Sequence, residues 1–344
     1  MTTSYRLRPA LELFFADDGD AYLLRGGSGA EHIVRAPEPR DREILRALAD
    51  GPVEVEPGTA TAERVQPLID AGAVVPMPRL RDLGGTDAVR FDRQLPYLED
   101  FGDPVAGQRR LRASSVAVIG CGGLGTWALG ALASAGIGHF VLVDDDEVAL
   151  SNLNRQILYG VDDVGRPKVD RAAEWLRRFD PSITVEKRRE IIAGPGDLDA
   201  LEGCDAWLLT ADWPPYELTR WVNAASLAHG IPFLVAGQQP PIVKIGPTYV
   251  PGRGACYTCH ERHLRRAFPL YDQLADQRTR QPPAATTLGP ASALIGSLLA
   301  VEVMHLILGS EPATHERMLV TDIQTLKSSW ETIERDPGCP DCGG

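Results

Sequence analysis

Apolar and polar positions in the first 80 residues change over in short blocks. Leu11–Phe15 (LELFF) and Ala21–Arg25 (AYLLR) flank the polar stretch 16–20, with Gly19 at the reversal, and read as a β-hairpin. Residues 32–35 (HIVR) offer a third strand. Helical spacing follows at Ile44, Leu45 and Leu48 and again at Val65, Leu68 and Ile69, closing on Ala71-Gly72. Three short strands and a few helices predict a small α+β, winged-helix-like module over residues 1–80 with a thin core. A polar connector spans 76–93, and beyond it the pattern changes. Apolar 116–119 reads as a strand, 120–125 as a turn, 126–135 as a helix and 140–143 as a second strand, which makes a βαβ unit. A helix at 170–179 and strands near 183–185, 206–210 and 233–235 continue the alternation. That order predicts an α/β, doubly wound sheet. Residues 291–308 are apolar enough for a buried core helix, with Glu302 as the one charge.

Length and charge narrow the classes. The 344 residues suit about two domains. Lys and Arg number 35 against 47 Asp and Glu, a net charge of −12, which argues against broad binding to nucleic acid or an anionic membrane. The longest stretch without a formal charge, 113–143, is interrupted by glycines that a lipid-facing helix would not use, and no membrane segment is expected. No signal peptide pattern follows Met1, so the expected location is the cytoplasm.

Four of the six cysteines fall in two CxxC pairs, Cys256/Cys259 and Cys339/Cys342. Brought together in a reducing compartment, four thiolates make a closed, structural zinc site with no open position for substrate water; a redox CxxC is the competing reading. His260 and His263 are alternative ligands. Cys121 and Cys204 stand alone and read as small buried residues.

The glycine turn carries the chemistry. Gly120, Gly122, Gly123 and Gly125 follow a strand and open a helix, the setting in which backbone approaches phosphate and a helix N-terminus attracts it. Asp144 ends the next strand, where an acid can hydrogen-bond a ribose hydroxyl. A dehydrogenase would share all of this. The following residues separate the two: Asp146, then Asn152, Arg155 and Gln156, then Lys168 supply the charge and hydrogen bonds that a triphosphate needs.

With Arg90-Phe91-Asp92-Arg93-Gln94, the glycine turn, the 144–156 stretch with Lys168, Thr210-Ala211-Asp212 and the paired CxxC motifs in this order, the chain resembles the ubiquitin-activating-type adenylating superfamily of ThiF/MoeB type over about residues 90–342. The resemblance implies a Rossmann-like adenylation domain over 101–344 and a homodimer. It implies ATP held by Asp144 at the ribose and by Asn152, Arg155, Gln156 and Lys168 at the phosphates, with magnesium on Asp212 and structural zinc on the cysteines. Arg93, in a connector over 81–100, aligns with the arginine that reaches the γ-phosphate of the other subunit. Relatives commonly carry Thr-Asp-Asn around the magnesium aspartate, whereas here Trp213 and Pro214 follow Asp212, which implies a reshaped acceptor side. Thioester-forming relatives carry a cysteine in the segment matching 260–287, and this segment has none.

The first 80 residues are similar to PqqD-like peptide-recognition modules, which take a leader peptide as an added strand. The combination looks like the peptide-modifying branch that holds the microcin C adenylating enzyme and PaaA. The implied activity is adenylation of a carboxylate on a ribosomal precursor peptide, ahead of cyclisation, amidation or phosphoramidate formation. The alternative is activation of the Gly-Gly terminus of a sulfur-carrier protein.

Overall fold

The computed structural model describes residues 2–9, 11–25, 30–78, 80–281 and 286–343, and the chain forms two compact units, Met1–Gln108 and Arg109–Gly344.

The first unit holds β1 (Thr3–Leu7), β2 (Leu11–Phe15), β3 (Ala21–Arg25), β4 (Ala30–Val34), α1 (Pro39–Asp50), β5 (Val53–Val55), α2 (Ala60–Asp70) and β6 (Val74–Pro76). The expected hairpin forms, with Phe14 opposite Tyr22, and β4 adds to it antiparallel. A second three-stranded sheet, β5-β1-β6, was not expected, because three-residue strands carry no readable alternation. Leu7, Leu11, Leu23, Leu48, Val55, Val65 and Val74 share one small core. Arg64 bonds Asp41 at 2.5 Å and Glu38 at 2.9 Å, tying α2 to the first turn of α1.

The segment expected as a polar connector is folded. It contains α3 (Asp87–Arg90) and α4 (Leu95–Leu98), and Phe91, Leu95 and Leu98, spaced i, i+4, i+7, are buried. Arg6 bonds Glu99 at 2.6 Å, and the unit extends through Gln108.

After α5 (Pro104–Ala113), the second unit runs β7 (Ser115–Ile119), α6 (Gly123–Ala135), β8 (His139–Val143), α7 (Lys168–Phe179), β9 (Thr184–Arg188), β10 (Ala206–Leu209), α8 (Glu217–His229), β11 (Phe233–Gln239), β12 (Ile242–Tyr249), α9 (Tyr257–Ala267), α10 (Tyr271–Arg280), α11 (Gly289–Leu308), β13 (Arg317–Asp322) and β14 (Lys327–Thr332). One eight-stranded sheet has the order β14-β13-β12-β11-β10-β7-β8-β9. Its β11-β10-β7-β8-β9 half is parallel, and the three remaining strands add antiparallel. The chain moves outward one way through β8 and β9, then returns to the other side of β7 with β10. The carboxyl ends of β7 and β10 therefore form the switch point where doubly wound folds bind ligands.

Helix α11 is long and apolar enough to cross a bilayer by composition, with a mean hydropathy of 1.9 in its most apolar window, but 56% of that window is buried in the unit. It packs on α6 at Gly296, where a Cβ would lie 2.6 Å from Cβ of Trp127 and 2.7 Å from the Ala128 nitrogen. Its Glu302 accepts from the Thr314 N–H at 2.7 Å and the Ala313 N–H at 3.2 Å.

Candidate nucleotide and metal sites

The turn after β7 is built on two glycines that no other residue could replace. Gly120 has φ +101°, and a Cβ there would meet the Ala211 nitrogen at 2.5 Å. A Cβ on Gly125 would stand 2.0 Å from the Gly120 carbonyl oxygen. The Thr210 hydroxyl donates to that same oxygen at 2.6 Å, so the end of β10 is laced to the turn. Two neighbouring strands thus place Thr210-Ala211-Asp212 beside the glycines.

The third strand contributes acids. Asp144, at the end of β8, accepts from the Cys121 N–H at 2.6 Å and from the Asp146 N–H at 2.9 Å. Burial pushes the Asp144 carboxyl up from its ordinary range, although the Lys168 ammonium and these two N–H groups pull against it. Lys168 is buried at the first position of α7, with its Nζ 2.6 Å from Asp146 and 4.0 Å from Asp144. Its ammonium is therefore held by carboxylates and largely withdrawn from solvent.

The loop from β8 to α7 brings the polar residues back over the turn. Arg155 lies against Gly123, with its Cγ and Cδ 3.4 Å from where a Cβ would be, and its Nη1 bonds Ser151 O and Asn154 Oδ1. Gln156 is 3% exposed, its amide nitrogen sits 3.8 Å from a Cβ built on Gly122, and its Oε1 has no hydrogen-bond partner among the described residues. A buried acceptor left unpaired beside the glycine turn fits a bound ligand that donates a hydrogen bond there. Asn152 spends its Oδ1 on the Ala149 N–H at 3.0 Å, so only its amide NH2 is available to a phosphate.

Two residues here were not singled out from the sequence. Tyr159 is buried and donates to Cys121 O at 2.8 Å and to Lys168 O at 3.3 Å. Ser292, on α11, lies 3.1 Å from a Cβ built on Gly123 and accepts from Gln238 Nε2 at 2.8 Å. Tyr159 lies in the loop between β8 and α7 and Ser292 on the apolar helix α11, and neither local pattern marks it.

Asp212 is exposed just beyond β10, a free-standing place for a carboxylate that would hold magnesium. Trp213 follows it with 61% exposure, and a cavity of about 470 Å³ opens beyond, lined by Pro215, Tyr216, Arg220 and residues of α10. Arg220 is held there by both oxygens of Glu261, at 3.0 and 2.8 Å. Arg93 belongs to the first unit, exposed on the turn between α3 and α4.

The four paired cysteines meet. Sγ separations are 3.9 Å for Cys256–Cys259, 3.7 Å for Cys256–Cys339 and 3.4 Å for Cys259–Cys342. Zinc bonded tetrahedrally to sulfur at ~2.3 Å implies edges of ~3.8 Å. The set fits zinc, and all four positions are sulfur. Burial raises the Cys256 thiol, a penalty that a bound cation would reverse. The surroundings hold the tail in place: Asp336 accepts from Arg262 at 2.7 Å and from Arg266 at 2.8 Å, and its N–H points at Cys259 Sγ at 3.4 Å. His260 is not part of the four-sulfur group; its Nδ1 is bonded to the Tyr249 hydroxyl at 2.8 Å inside the core, and burial lowers its pKa to about 4. His263 lies outside the four-sulfur group, which is the one metal-competent cluster with histidine or cysteine ligands among the described residues.

Both lone cysteines are buried. Cys121 is fully buried, and burial pushes its thiol far up. Cys204 precedes β10, bonded to Ser115 at the start of β7. That is the amino end of both strands, a strand's length, roughly 15–20 Å, from the glycine turn.

A glycine turn at a switch point, with a buried lysine beside paired acids and a buried glutamine whose Oε1 is unpaired, defines a nucleotide-binding enzyme of the doubly wound class. The chain belongs to the ThiF family, whose model matches residues 91–343, and it is thereby an adenylyltransferase of ThiF/MoeB type. The sulfur carrier protein ThiS adenylyltransferase of Escherichia coli is 33% identical over 263 residues, 75% of this chain and 96% of that protein. Among solved structures, E. coli MccB with AMPCPP and MccA matches with a TM-score of 0.77 at 25% identity, covering 99% of this chain and all of that one. PaaA matches with a TM-score of 0.73 at 23% identity, covering 95% of this chain and 99% of that one.

Proposed function

We propose that this protein activates a carboxylate of a ribosomally made precursor peptide as its acyl adenylate. The observation that carries the reading is the reach of the likeness. MccB, solved with AMPCPP and MccA, matches over 99% of the chain, first unit included, whereas the ThiS adenylyltransferase aligns with 75%. A small α+β unit with two three-stranded sheets offers strand edges on which a leader peptide can be held by main-chain hydrogen bonds.

In this reading ATP lies over the glycine turn. Asp144 accepts from a ribose hydroxyl, and the backbone at Gly122 and Gly123, with Asn152, Arg155, Gln156 and Lys168, holds the phosphates. Magnesium, held by Asp212, would neutralise phosphate charge. Arg93 from a second subunit adds a guanidinium at the γ-phosphate. A carboxylate oxygen of the peptide attacks the α-phosphorus, the bond to pyrophosphate breaks, and the acyl adenylate stays in a site shaped by Trp213 and Pro214. The protein's contribution is positioning and charge neutralisation, with no side-chain nucleophile. An amine, amide or other acceptor then displaces AMP. The zinc site holds the tail and takes no part in the chemistry.

Activation of a Gly-Gly carrier is the second reading, favoured by the sulfur-carrier relative. Intact-mass analysis of precursor peptides encoded beside the gene, incubated with enzyme and magnesium ATP while AMP and pyrophosphate are followed, separates the two. Peptide-dependent AMP release with water loss or nucleotide addition supports the first; AMP release only with a Gly-Gly-tailed protein moves the enzyme to the second.

A further inference from the structure

We infer that Tyr159 is a positioning residue for the nucleotide's phosphates: one hydroxyl orients both the glycine turn and the helix that carries Lys168. The inference rests on the nucleotide site assigned above, whichever carboxylate is activated.

Cys121 has a fixed peptide unit on each side. Its N–H is taken by Asp144 at 2.6 Å, and its carbonyl oxygen is taken by the Tyr159 hydroxyl at 2.8 Å. In a trans peptide the carbonyl and the next N–H point in opposite directions. Pulling the Cys121 carbonyl inward therefore turns the Gly122 N–H outward, and outward N–H groups are what such a turn offers an anion. A carbonyl oxygen rotated to that face would instead repel phosphate. The same hydroxyl lies 3.3 Å from Lys168 O, in the first turn of α7. Lys168 is also held by its own N–H on Asp146 O at 3.0 Å and by its ammonium on Asp146 Oδ2 at 2.6 Å.

Tyr159 is 7% exposed, and burial pushes its phenol far above the physiological range, so it is always a donor. Its single proton is shared between two carbonyls, so moving either the turn or the helix start alone weakens the shared bond. Two anion-contacting groups, a backbone N–H and an ammonium, are registered to one another through it.

The test compares the affinities of magnesium ATP and of adenosine in the wild-type protein and in Tyr159→Phe, each measured by competition against a fluorescent nucleotide. The expected result is an ATP affinity about five- to tenfold weaker, the size of one lost hydrogen bond. Adenosine, which has no phosphates, should bind as before, and the Tm should stay within a few degrees. Unchanged ATP affinity, or an equal loss for both ligands, would overturn the proposal. If Tyr159→Phe does not fold, Tyr159→Met, a flexible apolar side chain that also lacks the hydroxyl, is read by the same ATP-to-adenosine ratio, and an unaltered ratio there overturns it too. A wild-type protein that binds neither ligand removes the nucleotide site itself, and the inference with it.

Discussion

Cys121 donates its backbone N–H to Asp144 Oδ2 at 2.6 Å, so the carboxylate assigned to the ribose also braces the turn assigned to the phosphates. Asp144→Ala should cost more than a lost ribose contact, because it leaves two N–H groups without acceptors. Nucleotide binding and thermal stability should fall together in that variant.

Asp212 stands apart from this bracing, and its removal should behave differently. Asp212→Ala is expected to abolish magnesium-dependent pyrophosphate release with the Tm unchanged, since the residue is exposed. Normal turnover would sink the assignment of the metal carboxylate.

Subunit mixing tests Arg93. If it acts across a dimer, randomly mixed Arg93→Ala and Asp212→Ala subunits regain about a quarter of wild-type activity, because half the dimers then contain one complete site. Mixtures as inactive as the parents would count against that arrangement.

Two of the three glycines of α6 predict opposite outcomes. Gly125→Ala places a methyl 2.0 Å from Gly120 O and should cost several kcal/mol or prevent folding. Gly130→Ala meets nothing nearer than Trp175 at 3.8 Å and should stabilise by about 0.5–1 kcal/mol, read from urea unfolding.

Removing zinc, or changing Cys339 to Ser, should lower the Tm by on the order of 10 °C before chemistry is touched. Loss of activity at unchanged stability would point to a catalytic metal instead.

Glu302 makes acid stability testable. Burial alone would raise its carboxyl, but His305, Thr314 and the N–H groups of Thr314 and Ala313 outweigh that and bring it below the ordinary value of 4.5. Its contribution is therefore present above pH 4.5 and lost as pH falls through the lowered folded value. Glu302→Gln should lose about 1–3 kcal/mol at pH 7 and show a flatter acid limb, measured by thermal melts across pH 3–7.

The parallel half of the sheet and its glycine turn were legible because apolar runs bounded by glycine have few other structural solutions. The antiparallel half was not: every residue of β14 is exposed, so KSSWET carries no inward period to read. In the first unit β5 and β6 are three residues long, too short to alternate visibly. The burial of Phe91, Leu95 and Leu98 was available as a helical period but was masked by the polar residues between them. At the site, residue types and order were readable. The ties made by Tyr159 and Ser292 were not, since they depend on which distant backbone atoms the fold brings near.

The bond from Thr210 to the Gly120 carbonyl joins residues 90 positions apart, and Gly289 on α11 closes on the backbone of Asn154 so tightly that a Cβ would stand 2.5 Å from its oxygen. A site stitched from such remote segments exists only after the slow, long-range pairings of the sheet are complete. ATP can therefore distinguish finished molecules from partly folded ones. By mass action bound nucleotide would hold the finished ones in that state, so the Tm should rise with ATP concentration.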